Sequence, residues 1–335
     1  MAARKPRIAI TMGDPAGIGP EIIIKMFKKE DLYKYADVFV IGDLFPLLSA
    51  QRRISNKIAV KPINKSAGIS RGRNTINLLD MRALKLKDFI IGKESARAGG
   101  ASYIYLLEAI ELAMSKKIDA IVTAPINKHA LHLAGIREPG HTEILAKRSK
   151  TKDYAMMLMA EKLKVILVTI HTSIKSVPQL LTTGKILDKI KLAYRSLITD
   201  FGIKAPRIAV LGLNPHAGET GAFGDEEITK ILPAIKKAQA LGINAQGPYP
   251  PDTIFHKIIN GSHNAAVCMY HDQGLIPLKL IGFDTGVNFT MGLPFVRTSP
   301  DHGTAYDIAG TGKASESSIL SAFMVACEIA KNRKK

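Results

Sequence analysis

Three histidines follow three apolar runs that read as buried strands. The runs and the histidines after them are residues 165–170 with His171, residues 207–213 with His216, and residues 265–270 with His271. In parallel α/β sheets, ligands bind outside the carboxyl ends of the strands, so the three imidazoles are expected at one sheet edge. Imidazole is a common ligand of divalent metals, and three protein ligands leave positions open for a substrate. For any one histidine alone, a hydrogen-bonding loop residue is the favoured interpretation, but three at equivalent positions favour a shared metal site.

Other polar residues accompany this pattern. His141 and Thr142 lie at a predicted helix start, where free backbone N–H groups can bind an anion. Lys279, Asn288 and Arg297 follow the His271 strand at short intervals and are candidates for a clamp on phosphate and carboxylate groups. Together they predict a small anionic substrate beside the metal.

Two further residues have two interpretations each. Asp252 follows a glycine- and proline-rich turn and is a candidate acid or base, or the N-cap of a helix that begins at Thr253. Lys128 is either an active-site cation or a surface lysine.

Strands and helices alternate along the chain and must position these residues. Further buried strands are predicted at residues 7–11, 37–41 and 119–123. Helices are predicted over 103–114, over 180–201 after a capping box formed by Ser176 and Gln179, and over 225–242. The alternation predicts an α/β protein with mainly parallel sheets. Residues 51–88 give the weakest pattern.

The charge distribution bears on possible partners. The 335 residues include 47 Lys and Arg against 29 Asp and Glu, a net charge of +18. The lysines are scattered over predicted surface helices, and no nucleic-acid-binding motif occurs. We therefore expect no nucleic-acid partner and interpret the charge as a basic surface that can steer an anionic substrate.

Composition and cysteine content bear on the cellular compartment of the protein. The chain is 46% hydrophobic and 23% charged, which is typical of globular proteins, and is long enough for two domains. The first apolar run is too short for a signal peptide, and no stretch reaches membrane-spanning length. Two cysteines cannot form a disulfide framework, so we expect a cytoplasmic protein with no membrane partner.

Two glycine-containing loops bear on cofactor binding. Residues 13–21 contain G-x-x-x-G-x-G and not the dinucleotide fingerprint, so a tight turn that starts a helix is the better interpretation. Residues 301–310, DHGTAYDIAG, resemble the loop with which isopropylmalate and isocitrate dehydrogenases bind the adenosine half of NAD. That resemblance implies a nicotinamide cofactor, NAD with NADP as the alternative.

The chain resembles the PdxA family, the 4-hydroxythreonine-4-phosphate dehydrogenases of pyridoxal phosphate biosynthesis, nearly from end to end. The matching strings are TMGDPAGIGP at 11–20, GHTE at 140–143, GLNPHAGE at 212–219, YHDQG at 270–274 and GLPFVRTS at 292–299. The resemblance implies an isopropylmalate dehydrogenase-like fold with two α/β/α domains around a cleft. We expect residues 1–126 with 292–335 to form the first domain and residues 127–291 the second.

The resemblance also implies the roles of individual residues. The metal ligands would be His171, His216 and His271, drawn from both subunits of a homodimer with one divalent ion (Zn, Mg or Co) per active site. The substrate-binding residues would be His141, Thr142, Lys279, Asn288 and Arg297. The cofactor-binding residues would be His302, Gly303, Thr304, Ala305 and Asp307. Either Asp252 or Lys279 would act as the catalytic base.

The expected reaction is the metal- and NAD-dependent oxidation of 4-phosphohydroxy-L-threonine, followed by decarboxylation to 3-amino-2-oxopropyl phosphate. Three alternatives remain open at this point. The nearest is a dehydrogenase of the same family that acts on 4-phospho-D-erythronate or D-threonate 4-phosphate. The second is a zinc hydrolase, which would leave the 301–310 loop unexplained. The third is a basic nucleic-acid-binding protein, which the absence of binding motifs disfavours.

Overall fold

The structure is a computed structural model that describes residues 4–64, 68–85 and 88–334. Contacts between Cα atoms divide the chain into two compact units. Unit 1 comprises Met1–Lys152 and Leu293–Lys335, and unit 2 comprises Asp153–Gly292.

Unit 1 is built on a parallel sheet. Its strands are β1 (Arg7–Thr11), β2 (Asp37–Gly42), β3 (Ala59–Ile63), β4 (Thr75–Asp80), β5 (Ala120–Thr123) and β12 (Val296–Pro300), in the order β3-β4-β2-β1-β5-β12. Every strand pairing within this set is parallel. Strands β1 and β5 are buried along almost their whole length, which is why they are nearly continuous apolar runs.

The helices of unit 1 pack on this sheet and on one another. They are α1 (Gly19–Lys29), α2 (Leu44–Ile54), α3 (Ala96–Met114), α4 (Lys128–Leu133), α5 (His141–Arg148) and α11 (Ser317–Asn332). The Ser95 hydroxyl caps α3 by accepting from the Ala98 amide. A Cβ atom at Gly99 would lie 2.1 Å from the Ala130 carbonyl oxygen, so glycine is what lets α3 and α4 approach closely.

Unit 2 is built on a mixed sheet. Its strands are β6 (Ala155–Ala160), β7 (Leu163–Leu167), β8 (Ile208–Leu211), β9 (Ala245–Tyr249), β10 (Ala265–Cys268) and β11 (Val287–Met291), in the order β11-β6-β7-β10-β8-β9. Strand β6 is antiparallel to both β11 and β7, and the other pairings in this unit are parallel. The β6–β7 hairpin turns at Glu161, whose φ is +48°.

The helices of unit 2 cover both faces of its sheet. They are α6 (Val177–Leu180), α7 (Thr183–Thr199), α8 (Leu232–Ala240), α9 (Pro251–Ile259) and α10 (His271–Gly282), and a π-helical turn, Glu227–Ile231, precedes α8. Helices α9 and α10 contribute Ile254, Phe255 and Leu278 to an apolar cluster with alternate residues of β7, β8 and β10. Of the intervening strand residues, Ile166, Val210 and Val267 are buried too, and α7 contacts these strands.

The predicted α/β class with mainly parallel sheets is confirmed, with differences in detail. The predicted capping box at Ser176 and Gln179 is wrong: Ser176 closes a short 3-10 helix, and α7 begins after Thr182, whose hydroxyl accepts from the Lys185 amide. The three histidine-bearing runs leave the strand ladder two or three residues earlier than predicted, because their last residues form the loops at the sheet edge.

The contact-based division also differs from the boundary expected at residues 126 and 127. Residues 127–152 belong to unit 1, because α4 packs against α3. In the described part of the chain, no helix combines the length and apolar character needed to cross a membrane.

Candidate active site

The three strand ends that carry the histidines in unit 2 are tied together at Met269. The Thr169 amide and hydroxyl both donate to the Met269 carbonyl oxygen, at 3.2 and 2.7 Å. The Met269 amide donates to Oε1 of Gln273, and Nε2 of Gln273 donates to the Gly212 carbonyl, each at 2.7 Å. The buried Gln273 carboxamide therefore fixes the ends of β8 and β10, and Thr169 fixes the end of β7 to them.

His171 and His271 lie side by side at this edge. Their ring centroids are 5.9 Å apart, and both side chains reach solvent. Nδ1 of His271 is 2.7 Å from an Asp272 carboxylate oxygen. A carboxylate on Nδ1 selects the tautomer in which Nε2 carries the free lone pair, the usual arrangement of metal-binding histidines.

His216 lies in an unusual turn after β8. Five successive residues, from His216 to Thr220, have φ values between +42° and +80°. Four of them are not glycine, and each costs about 1–2 kcal/mol in this left-handed region. The exposed imidazole lies against the Phe223 ring, with centroids 6.2 Å apart.

Within a single chain, the structure does not gather the three histidines into one cluster. No group of three or more His, Cys, Asp or Glu side chains in the described ranges is placed to hold a metal ion. The fold brings His171 and His271 together and places His216 on a separate turn. The prediction that the three ligands come from two subunits stays a prediction.

Arg297 lies in β12 at the heart of a polar group in unit 1. It is only 2% exposed, and its Nε and Nη2 donate to the Thr123 hydroxyl at 3.2 and 2.7 Å. Burial lowers the pKa of Arg297 to about 10, and the nearby Glu143 carboxylate opposes that shift. A desolvated guanidinium that is still charged at neutral pH is well suited to bind an anion.

The predicted helix start at Gly140 is confirmed, and it lies in the same polar group. Helix α5 begins at His141, whose Nε2 is buried and has no hydrogen-bond partner. Burial, reinforced by the positive charge of Arg297, lowers the pKa of His141 well below its ordinary value. Lys128 is exposed, but its Cε lies 3.8 Å from where a Cβ of Gly140 would be. The α5 N-terminus therefore has the cations Arg297 and Lys128, the unpartnered His141 nitrogen and the Glu143 carboxylate in its surroundings.

The remaining predicted substrate and base residues lie in unit 2. Lys279 is half-buried on α10 with its Nζ 5.4 Å from the Phe283 ring centroid. Nδ2 of Asn288 donates to the Met156 sulfur at 3.3 Å, and its buried Oδ1 has no hydrogen-bond partner. Asp252 is exposed in the first turn of α9, where Pro250 and not Asp252 occupies the N-cap position.

The predicted cofactor loop is held against the glycine-rich loop of unit 1. The Ile18 amide donates to the Thr304 carbonyl at 3.0 Å, and the Tyr306 hydroxyl donates to the buried Asp14 carboxylate at 2.7 Å. Burial raises the pKa of Asp14, whereas the Tyr306 hydrogen bond lowers it. A Cβ at Gly17 would lie 2.8 Å from the Thr304 carbonyl oxygen, so that glycine permits the close approach.

Part of this loop is exposed to solvent. Among the predicted cofactor residues, His302, Gly303 and Asp307 are exposed, Thr304 is buried, and Ala305 is half-buried with a φ of +43°. The glycine-rich loop itself is a turn that leads into α1, as its sequence indicated.

Four residues that shape these sites were not predicted as site residues: Thr123, Gln273, Glu227 and Tyr306. Gln273 and Tyr306 lie inside strings that carried the family resemblance, so their position was visible but their role was not. Thr123 and Glu227 act through partners that only the fold brings near.

Comparison with known proteins agrees with this architecture. The profile of the family described as pyridoxal phosphate biosynthetic protein PdxA matches residues 34–326. A 4-hydroxythreonine-4-phosphate dehydrogenase of Desulfosudis oleivorans is 48% identical over 97% of this chain and 96% of its own length. A D-threonate 4-phosphate dehydrogenase of Salmonella typhimurium is 46% identical, with 96% and 98% covered.

A solved structure also matches almost throughout. The crystal structure of 4-hydroxythreonine-4-phosphate dehydrogenase from Klebsiella pneumoniae has a TM-score of 0.91 and 46% identity, covering 98% of this chain and 99% of that one. With this fold and these relatives, the protein is an enzyme of the dehydrogenase class. Within that class, the chain belongs to the PdxA family.

Proposed function

We propose that this protein oxidises the C3 hydroxyl of 4-phosphohydroxy-L-threonine and that the resulting β-keto acid loses CO₂ to give 3-amino-2-oxopropyl phosphate. Oxidation transfers a hydride to NAD and releases a proton, and decarboxylation takes up a proton at the carbon that loses CO₂. The proposal places the protein in pyridoxal 5'-phosphate synthesis. Membership of the PdxA family and relatives at 44% and 48% identity named for this activity support it.

The observation that carries the proposal is the buried Arg297 guanidinium beside the N-terminus of α5. Arg297 and the unpartnered Nε2 of His141 lie where the backbone N–H groups of α5 begin. A substrate with one phosphate and one carboxylate offers anionic oxygens to the guanidinium and to the backbone N–H groups of the helix N-terminus. His141, Thr142, Arg297, Lys279 and Asn288 would bind and orient it.

The histidines at the strand ends of unit 2 fit a divalent metal. His171 and His271 are adjacent, and Asp272 holds Nδ1 of His271 so that Nε2 is available. When bound, NAD accepts the hydride, with NADP as the alternative acceptor, and a zinc, magnesium or cobalt ion stabilises negative charge on the substrate oxygen. His216 would be the third ligand.

The side chains of this chain supply the remaining steps. Lys279 or Asp252 would remove the hydroxyl proton. Arg297 and Lys279 would hold the carboxylate and phosphate so that the C3 hydrogen points at the nicotinamide. His302, Gly303, Thr304, Ala305 and Asp307 would bind the adenosine half of the cofactor.

The active form would be a homodimer with shared active sites. Helix α10 exposes 66% of Ile276, 86% of Leu280 and 76% of the following Phe283, at helical spacing. The same helix begins at His271 and carries Lys279. A second copy that covered this apolar face would stand directly beside the site and could contribute residues to it.

We also propose that the protein works in the cytoplasm. Its two cysteines, Cys268 and Cys327, are buried and unpaired in the structure, and a reducing compartment keeps thiols in that state.

A second substrate has support from the relatives. Proteins named D-threonate 4-phosphate dehydrogenase are 46% identical over 96% of this chain, about as similar as those named for the threonine derivative. D-Threonate 4-phosphate carries the same phosphate and carboxylate but lacks the amino group. Since the two substrates share the anionic groups that Arg297 and His141 would bind, discrimination between them must depend on the contacts of the amino-bearing carbon.

The deciding experiment follows NADH absorbance on mixing the enzyme, NAD and Mg, Zn or Co with each candidate. The candidates are 4-phosphohydroxy-L-threonine, D-threonate 4-phosphate and 4-phospho-D-erythronate. We expect turnover with the first and its loss with a chelator. Turnover with only the other acids would retain the mechanism and change the substrate. Activity that persists after complete metal removal would contradict the metal role, and silence with all three would contradict the proposal and reopen the zinc hydrolase alternative.

A further inference from the structure

We propose that Glu227 is a positioning residue, which holds the left-handed turn of His216 in the one conformation that presents the imidazole to a metal. This inference rests on the proposed function, because it takes His216 as a metal ligand. Glu227 would not touch the metal or the substrate and would act only through the turn.

Both carboxylate oxygens of Glu227 are used to hold the start of this turn. Oε1 accepts from the backbone amides of Leu213 and Asn214 at 2.7 and 2.8 Å. Oε2 accepts from Nδ2 of Asn214 at 2.9 Å. The side chain is 3% exposed, so water does not compete for these bonds. These hydrogen bonds to Glu227 therefore fix the direction of the chain where it leaves β8.

The turn packs directly on this carboxylate. A Cβ atom at Gly218 would lie 2.6 Å from Oε2 of Glu227, and one at Gly212 would lie 3.0 Å from Oε1. The same Cβ at Gly212 would lie 2.8 Å from the Ala217 Cα. Glycine at these two positions opens the space that the carboxylate fills, which places Glu227 beneath the centre of the turn.

The local backbone directs Glu227 inward. Asp225, Glu226 and Glu227 form an acidic run, in which Asp225 is exposed, Glu226 half-buried and Glu227 buried. Glu227 is the first residue of the π-helical turn that precedes α8. Such turns rotate side chains relative to a regular helix and occur frequently at functional sites.

A left-handed run of this length requires outside support. The φ values of His216, Ala217, Glu219 and Thr220 are +53°, +56°, +42° and +58°. Residues in this region persist where the surrounding structure overdetermines them, and such strain is concentrated at functional sites. The three hydrogen bonds to Glu227 provide that support. Without them, the turn would relax and the imidazole would leave its position.

The test compares Glu227→Ala, Glu227→Gln and the neighbouring control Glu226→Gln in the full-length enzyme. Glutamine at 227 keeps an acceptor for the two backbone amides but turns an NH₂ group towards that of Asn214, so its effect should be intermediate. Glu226 accepts from Nδ2 of Asn214 at 2.8 Å, and its glutamine variant keeps an acceptor for that bond. Cobalt(II) affinity is measured from the visible absorption of the bound ion, together with the thermal midpoint and hydrogen exchange of residues 212–221.

We expect Glu227→Ala to weaken cobalt binding by about 10–100-fold, as loss of a residue that orients a ligand does in other metal sites. Glu227→Gln should lie between Glu227→Ala and wild type, and Glu226→Gln should match wild type. Hydrogen exchange should increase at residues 212–221 in Glu227→Ala. Excess cobalt should restore much of its kcat, because the ligand is displaced and not removed.

His216→Ala distinguishes failure of the positioning role from failure of the metal site itself. If His216→Ala loses cobalt affinity while Glu227→Ala keeps it, Glu227 is only a structural residue and this inference is overturned. A lower thermal midpoint in Glu227→Ala with wild-type cobalt affinity would overturn it as well. If His216→Ala itself binds cobalt normally, the proposed metal role of His216 fails, and the inference fails with it.

Discussion

The side-chain amide of Gln273 donates to the carbonyl oxygen of Gly212 at 2.7 Å, and this bond joins the ends of two strands that carry candidate metal ligands. The side-chain carbonyl oxygen of Gln273 accepts from the Met269 amide. Both backbone groups are buried at the sheet edge, so each needs a partner from the protein. One carboxamide thus satisfies backbone groups at the ends of the two strands that precede His216 and His271.

Gln273→Leu should destabilise unit 2 and weaken catalysis. The substitution leaves the Gly212 carbonyl and the Met269 amide unpaired, which costs about 1–3 kcal/mol for each buried group. Urea unfolding followed by circular dichroism measures the loss, and kcat at saturating substrate measures the catalytic effect. The control is Gln179→Leu, at an exposed glutamine. Equal stabilities for the two variants would show that the carboxamide bridge is unimportant.

Tyr306→Phe should weaken NAD binding with little effect on the affinity for the phosphorylated substrate. The change removes the hydrogen bond to Asp14 that ties the predicted cofactor loop to the glycine-rich loop. A net loss of about 0.5–1.5 kcal/mol corresponds to an affinity decrease of roughly 2- to 13-fold. Isothermal titration calorimetry with NAD gives the value. Tyr194→Phe on α7 is the control. An unchanged NAD affinity in Tyr306→Phe would contradict a role in cofactor binding for the hydrogen bond between Tyr306 and Asp14.

Thr123→Val should lower kcat/KM more than it lowers stability. It preserves shape but removes the oxygen to which Nε and Nη2 of Arg297 donate, so the guanidinium loses two of the hydrogen bonds that orient it. We expect kcat/KM to fall about 10-fold, which is about 1.4 kcal/mol of transition-state stabilisation.

The matched control for that variant is Thr298→Val. Thr298 is also buried in β12, but its hydroxyl donates to the Ala322 carbonyl in α11 and not to Arg297. Steady-state kinetics and thermal melts are measured for both. Equal falls in kcat/KM for the two variants would mean that general packing, and not the orientation of Arg297, is responsible.

His141 should make the protein less stable in mild acid. Burial lowers the pKa of His141 in the folded state below its ordinary value of 6.5, so below that pH the unfolded state binds more protons. Stability should therefore fall as the pH falls through 6.5, at up to about 1.4 kcal/mol per pH unit from this residue.

Unfolding free energies between about pH 7.5 and 5.5, with a chelator present to exclude metal release, test this expectation. His141→Asn should show a shallower pH dependence than the wild type over the same interval. The two enzymes should have the same dependence above about pH 7, where histidine is neutral in both states. Parallel curves in the acidic part of the range would show that His141 is readily protonated in the folded protein.

The sequence predicted best those strands whose residues are apolar because both faces of the strand are buried. Strand β1 has the predicted bounds because its residues are apolar and covered on both faces. Strand β3 was not predicted, because it lies at the sheet edge with Lys61 and Pro62 exposed and therefore shows no apolar pattern. The start of α7 was misplaced because Ser176 and Thr182 offer equivalent capping hydroxyls, and only the geometry of the intervening proline-containing turn selects the second.

The residues of the candidate site also divide into those that the sequence pattern could predict and those that it could not. His171 and His271 could be predicted as neighbours, because the ends of parallel strands lie at one edge. The partner of Arg297 could not, because Thr123 is 174 residues away and is one of many buried hydroxyls. Similarly, nothing in the run 225–227 indicates which acidic residue turns inward, since that choice depends on a π-helical turn.

The division of unit 1 into two chain segments has a consequence for synthesis on the ribosome. Unit 2 is a continuous stretch, Asp153–Gly292, whereas β12 and α11 of unit 1 come from the last part of the chain. During translation, β5 must therefore wait for its partner β12 until all of unit 2 has been made. That interval is on the order of 10 s or more, given elongation at about 5–20 residues per second. The nascent first segment thus exposes an unpaired apolar strand edge throughout, and a chaperone that binds such edges would associate with this chain before β12 emerges.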